Sequence, residues 1–141
     1  MADPIPLPPT TVSVSWDSAL EFTCQAGKHE IGIDGTTYTA PSPMQLLATA
    51  LAGCMAIDLV HIIQKSRRRL TALEARFTGE RAPEHPKRFV RITLEFALAT
   101  DATAEQVERA LQLSRETYCS VWNSMRADTE LTVSYTIEQP Q

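Results

Sequence analysis

Glycine is scarce in this chain: five in 141 residues, and widely scattered. They cannot assemble a Gly-rich loop of the kind that cradles phosphate with successive backbone N–H groups. No G-x-S-x-G elbow presents a serine nucleophile either. Cysteine is limited to Cys24, Cys54 and Cys119, an odd count without a C-x-x-C pair. That excludes a secreted disulfide framework, and the histidines at 29, 61 and 85 add none of the short spacings of zinc sites. Neither a metal nor a cofactor is expected. Positive charge is short as well. Thirteen Lys and Arg against seventeen Asp and Glu leave a formal charge of −4, without the clustered cations that a nucleic-acid partner demands. The one basic run, Lys65 with Arg67, Arg68 and Arg69, closes a predicted helix, where cations complement the dipole. The start, MADPIPLPP, has no basic n-region or apolar h-region, so residues 1–10 read as an extended, proline-stiffened arm and not a signal. Reduced thiols and no signal make a cytoplasmic location the expectation.

What is present is apolar residue in quantity. At 43% hydrophobic content the chain can bury a real core, and its length predicts one domain over residues 1–141. The longest apolar run, Leu46 to Ile63, approaches the ~20 residues of a membrane span. Asp58 and His61 fall inside it, and a carboxylate at mid-bilayer is costly without a partner, so no membrane is expected. Ser42 as N-cap, Pro43 in the first helical position and Gln45 three residues after the cap predict a helix starting there and running to about Arg68. Gln45 and Thr49 lie on one side of it; Asp58, His61 and Lys65 lie nearly opposite. With no continuous polar face, such a helix is surrounded by protein.

Around it the period is two. TVSVSW, LEFTCQ and HEIGI alternate before the helix, with Asp34-Gly35 as a turn signal; Leu20, Phe22 and Cys24 share one face, which makes Cys24 a core residue. TALEARFTGE and FVRITLEFAL follow it, then a second capping box at Thr103 and Gln106, and a last strand at LTVSYTI. The second helix puts Val107, Ala110, Leu111 and Ser114 inward and stops or bends near Tyr118, with a short one restarting at Cys119-Ser120. This order is α+β, and the short links favour antiparallel sheets.

Cys54 admits two readings. Free cysteine usually behaves as a small buried hydrophobe. Yet Asp58 at four residues and His61 at seven share its helical face, the imidazole favouring a thiolate and the carboxylate opposing one. If a helix begins at Cys119, its free N–H groups would stabilise a thiolate there.

Two segments, SPMQLLATALAGCMAIDLVHIIQKSRR and LSRETYCSVWNSM, carry these cysteines 65 residues apart. Together they resemble the OsmC/Ohr family of osmotically inducible and organic-hydroperoxide-resistance proteins, and within it the YhfA-like branch. The resemblance covers Tyr38 to the C-terminus. It implies antiparallel sheets packed around a long buried central helix in an intertwined homodimer, with two equivalent sites at the subunit interface. It further implies a catalytic pair: Cys54 attacks an organic hydroperoxide, Cys119 resolves the sulfenic acid as a disulfide, and an external dithiol restores both. Met44, Leu47 and Leu51 would line the path of an apolar hydroperoxide.

The sequence departs from the family pattern at two points. Met44 stands where hydroperoxide-reducing members carry a glutamate. VSVSWDSALEF holds no arginine where they carry the activating cation. A thiol without such a cation is a poor nucleophile at neutral pH. These departures motivate the alternative of a non-catalytic protein of the same fold that binds a small apolar ligand at the dimer interface.

Overall fold

A computed structural model describes residues 2–141. Contacts divide the chain into two compact units, Met1–Leu46 and Leu47–Gln141.

In the first unit, residues 2–10 carry no regular secondary structure. Then β1 (Val12–Ser18), β2 (Glu21–Ala26) and β3 (His29–Asp34) form an antiparallel sheet in sequence order. Gly27, at φ +60, opens the two-residue loop between β2 and β3, a conformation glycine enters without strain. Val14, Cys24 and Ile31 pair across the sheet, as do Trp16, Phe22 and Ile33. Alternation thus gathers the apolar residues on one face. Cys24 is buried there, whereas Val14, Trp16 and Ile31 remain exposed.

β3 ends at the expected Asp34-Gly35 turn. The buried Asp34 carboxylate accepts backbone N–H bonds from Thr36, Tyr38 and Thr39 at 2.8, 3.1 and 2.9 Å. The hydroxyls of Thr36 and Thr39 donate to it as well, at 2.7 and 3.0 Å. These bonds hold its carboxyl well below the usual carboxylate range, with the Thr39 N–H as the largest cause.

The long helix α1 spans Pro43–Lys65. Its capping box is in place: the Gln45 N–H donates to Ser42 Oγ at 3.1 Å, and Gln45 Oε1 accepts the Ser42 N–H at 3.0 Å. It ends earlier than the sequence suggests, because Arg67 takes a left-handed φ of +60. The Arg68 N–H then reaches back to the Ile63 carbonyl at 3.2 Å and the Arg67 N–H to that of Gln64 at 2.9 Å, a Schellman closure. Only Lys65 of the basic run lies in the last helical turn. Leu51, Met55, Leu59 and Ile63, spaced by four, form the buried stripe of α1. Within one chain the stripe is narrow; Ile57, on the other side, is 61% exposed.

The second unit continues with β4 (Leu70–Arg81), β5 (Phe89–Thr100), α2 (Ala104–Leu113) and β6 (Glu130–Glu138). β5 is central in the sheet, and its Ile92, Leu94, Phe96 and Leu98 are almost completely buried. Each such side chain stabilises the fold by ~2–3 kcal/mol. Gly79 on β4 leaves room for the edge-to-face pair Phe77–Phe89, since a Cβ there would come within 2.7 Å of both rings. The sheet corrects one expectation. β4 and β5 are antiparallel, but β6 runs parallel to β5. The connection from Thr100 to Glu130 contains α2 and two further turns, long enough to return the chain to the starting end of β5.

Candidate functional site

The site is built where α1 meets the segment that follows α2, inside the second unit. Thr103 caps α2 with the expected box to Gln106, and Val107, Ala110 and Leu111 turn inward. At Ser114 the helix widens into a π-helical turn, Ser114–Tyr118. The Cys119 N–H donates to the Ser114 carbonyl, five residues back, at 2.7 Å. Insertions of this kind change the phase of a helix and often serve functional sites. Here Ser114 is fully buried, and so is Cys119.

Cys119 has extended backbone and heads a short 3-10 turn, Trp122–Ser124. Its sulfur accepts the Trp122 N–H at 3.3 Å, and its carbonyl accepts from the Asn123 N–H at 3.0 Å and side-chain amide at 2.8 Å. The restart expected at Cys119-Ser120 comes later, as the single tight turn Trp122–Ser124 with Val121 before it. Its effect on the thiol is also not the expected one. Burial pushes the Cys119 thiol up to about 11, and the Trp122 N–H only partly opposes this. The neighbouring Cys54 thiol and the charge of Asp58 push it further the same way.

The fold thus brings the two predicted residues near each other: Cys54, half-buried on α1, and Cys119 are both free thiols. One turn beyond Cys54, the Asp58 carboxylate accepts the Ser114 hydroxyl at 2.7 Å. Asp58 also lines an open concavity of about 640 Å³, together with His61, Ile62, Lys65, Leu113 and Tyr118. Among the three apolar residues expected near substrate, Leu51 is fully buried one turn before Cys54, Leu47 is exposed, and Met44 is half-buried at the end of the first unit. None of the three lines this concavity. Among the described residues no cluster of three or more His, Cys, Asp or Glu side chains could hold a metal ion.

Ser114 was legible as an inward residue of α2 but not as a site residue. Its partner Asp58 is 56 positions away, and no local pattern joins them.

The family model described as OsmC-like protein matches residues 34–134, and the chain belongs to that family. The resemblance drawn from the two cysteine segments is thereby borne out. The chain is 39% identical over 127 residues to protein YhfA of Escherichia coli strain K12, an alignment covering 88% of this chain and 95% of that protein. A hypothetical protein from Aquifex aeolicus VF5 has the same fold at a TM-score of 0.89 with 24% identity, over 96% of this chain and 100% of its own. An organic hydroperoxide resistance protein from Elizabethkingia anophelis superposes at 0.70 with 13% identity, over 94% and 99% of the two chains.

Proposed function

We propose that this protein reduces organic hydroperoxides through Cys54 and Cys119, as a stress-protective thiol peroxidase. The observation that carries the reading is the neighbouring pair of free thiols, one half-buried and one fully buried. Cys54 is the attacking sulfur, because it alone of the two has exposed surface. Its thiolate takes the distal oxygen of R–O–OH; the O–O bond breaks, the sulfur is oxidised by two electrons to the sulfenic acid, and ROH leaves after protonation. Cys119 then forms the disulfide with loss of water. An external dithiol reduces the disulfide and is itself oxidised, returning both thiols, so the cycle needs no cofactor. Reducing compartments such as the cytoplasm supply such dithiols.

The family's activating glutamate and arginine have no counterpart here. The buried Cys119 stands near Cys54 in their place, its thiol pushed up to about 11 and so protonated at neutral pH. A second copy of the chain covers the open side of α1, making the homodimer, and completes the apolar approach past Met44, Leu47 and Leu51. Hydroperoxide consumption by Cys54→Ser tests the reading. Turnover of cumene hydroperoxide with dithiothreitol should fall at least a hundredfold; full activity without the Cys54 thiol would sink it.

The missing cation favours a second reading, in which the same fold binds a small apolar ligand and the thiols stay reduced throughout. It predicts a raised melting temperature with some member of an apolar ligand panel and thiols inert to hydroperoxide.

A further inference from the structure

The resolving step leaves one proton to be accounted for, that of Cys119. Ser114 is fully buried and bonded in two directions. Its hydroxyl donates to the Asp58 carboxylate at 2.7 Å, and its carbonyl accepts the Cys119 N–H at 2.7 Å. One residue thus ties the Asp58 carboxylate to the backbone that carries the second thiol. Asp58 sits one turn after Cys54 and also opens onto the 640 Å³ concavity. Neither sulfur lines that concavity, whereas Asp58 does. A carboxylate beside thiols works against any thiolate, so a purely structural bond to Ser114 would be better made by a neutral amide.

We propose that Asp58, steered by Ser114, accepts the Cys119 proton during disulfide formation, an inference that rests on the thiol-pair reading. The Cys119 S–H bond breaks toward the Asp58 carboxylate while the sulfur attacks the Cys54 sulfenic sulfur. The S–S bond forms and the S–O bond breaks. The departing hydroxide takes the proton from Asp58 and leaves as water, so the carboxylate is regenerated and no further reactant is consumed. With the Cys119 thiol pushed up to about 11, roughly one molecule in ten thousand would carry that thiolate unaided at neutral pH. A positioned general base removes this limit and typically contributes about 10²–10⁴-fold. The groups around Asp58 are Cys54, His61 and Lys65 on α1, and Ser114, Tyr118 and Cys119 on the turn. Arg115, on the same turn, lies over the Trp122 ring at 5.8 Å.

The test uses the full chain with Cys24→Ser, which removes the third thiol, and the thiol oxidant diamide as probe. Diamide first forms an adduct on one thiol, and the other displaces it to give the disulfide. Closure is followed by acid quench, alkylation and mass mapping. It proceeds whether or not the protein reduces hydroperoxides, so inert behaviour toward cumene hydroperoxide would overturn the parent reading while leaving this measurement decisive for Asp58. Asp58→Asn should slow closure at least tenfold relative to adduct formation, and Asp58→Glu should restore part of the rate. Wild-type closure should be level between pH 6 and 8, and the Asn variant should instead rise about tenfold per pH unit. Closure by Asp58→Asn at the wild-type rate overturns the proposal. A loss shared equally with Ser114→Ala and leaving the pH profile level overturns it too, because that marks a structural role. If Asp58→Asn does not fold, the wild-type profile decides: a level rate supports the proposal and a tenfold rise per unit refutes it.

Discussion

Asp34 and Asp58 both accept hydroxyl hydrogen bonds, but from different surroundings. Asp34 collects backbone N–H and threonine hydroxyl bonds and no thiol, so its charge is stabilised and serves to close a turn. Asp58 has one hydroxyl from Ser114 and acts through its charge on the Cys119 thiol. The Asp34 environment makes a stability prediction whose sign is fixed by linkage. A carboxyl depressed below its ordinary 3.8 contributes stability that is present above that pH and lost as pH falls toward its native value. Melting temperatures measured from pH 5 down to pH 2 should therefore fall more steeply for the wild type than for Asp34→Asn, which should already be the less stable protein at pH 5. Parallel curves would show that the turn does not depend on the Asp34 charge. Both cysteines of the candidate pair stand out in the sequence, because each sits in a segment with a recognisable neighbourhood. The state of Cys119 does not: a helix start suggests a stabilised thiolate, and only the fold reveals that burial outweighs the single Trp122 N–H.

Among the elements, α1 and α2 were the most legible, since capping boxes and periodicity are local signals that the folded chain retains. The strand faces followed from alternation for the same reason. The parallel pairing of β6 with β5 was not legible, because strand direction depends on where a long connection returns the chain. The end of α1 was misjudged because arginine, unlike glycine, gives no warning of a left-handed turn. A helix without a continuous polar face was expected to be surrounded, and one chain covers only its Leu51–Met55–Leu59–Ile63 stripe. If a second copy covers the rest, Ile57→Glu should convert a dimer of 15.6 kDa chains into monomers while leaving the circular dichroism spectrum unchanged. Ile57 contributes little to the core of its own chain, so the substitution acts on association. Light scattering that finds the wild type already monomeric would remove the dimer from the proposal.

At the scale of the whole molecule, an OsmC-like fold brings two cysteines 65 residues apart in sequence near each other. Beside Cys54 stand a buried thiol, Cys119, and a carboxylate, Asp58, held by the Ser114 hydroxyl. This arrangement suits a reaction in which one sulfur is exposed to oxidant and the other waits, protonated, to close the disulfide. The measurement to make first is non-reducing peptide mapping after one equivalent of cumene hydroperoxide, beside a hydrogen peroxide control. Prompt formation of a Cys54–Cys119 disulfide, faster with the organic peroxide, is the expected result. Thiols that remain fully reduced would contradict it and leave the pair as the wall of a ligand pocket.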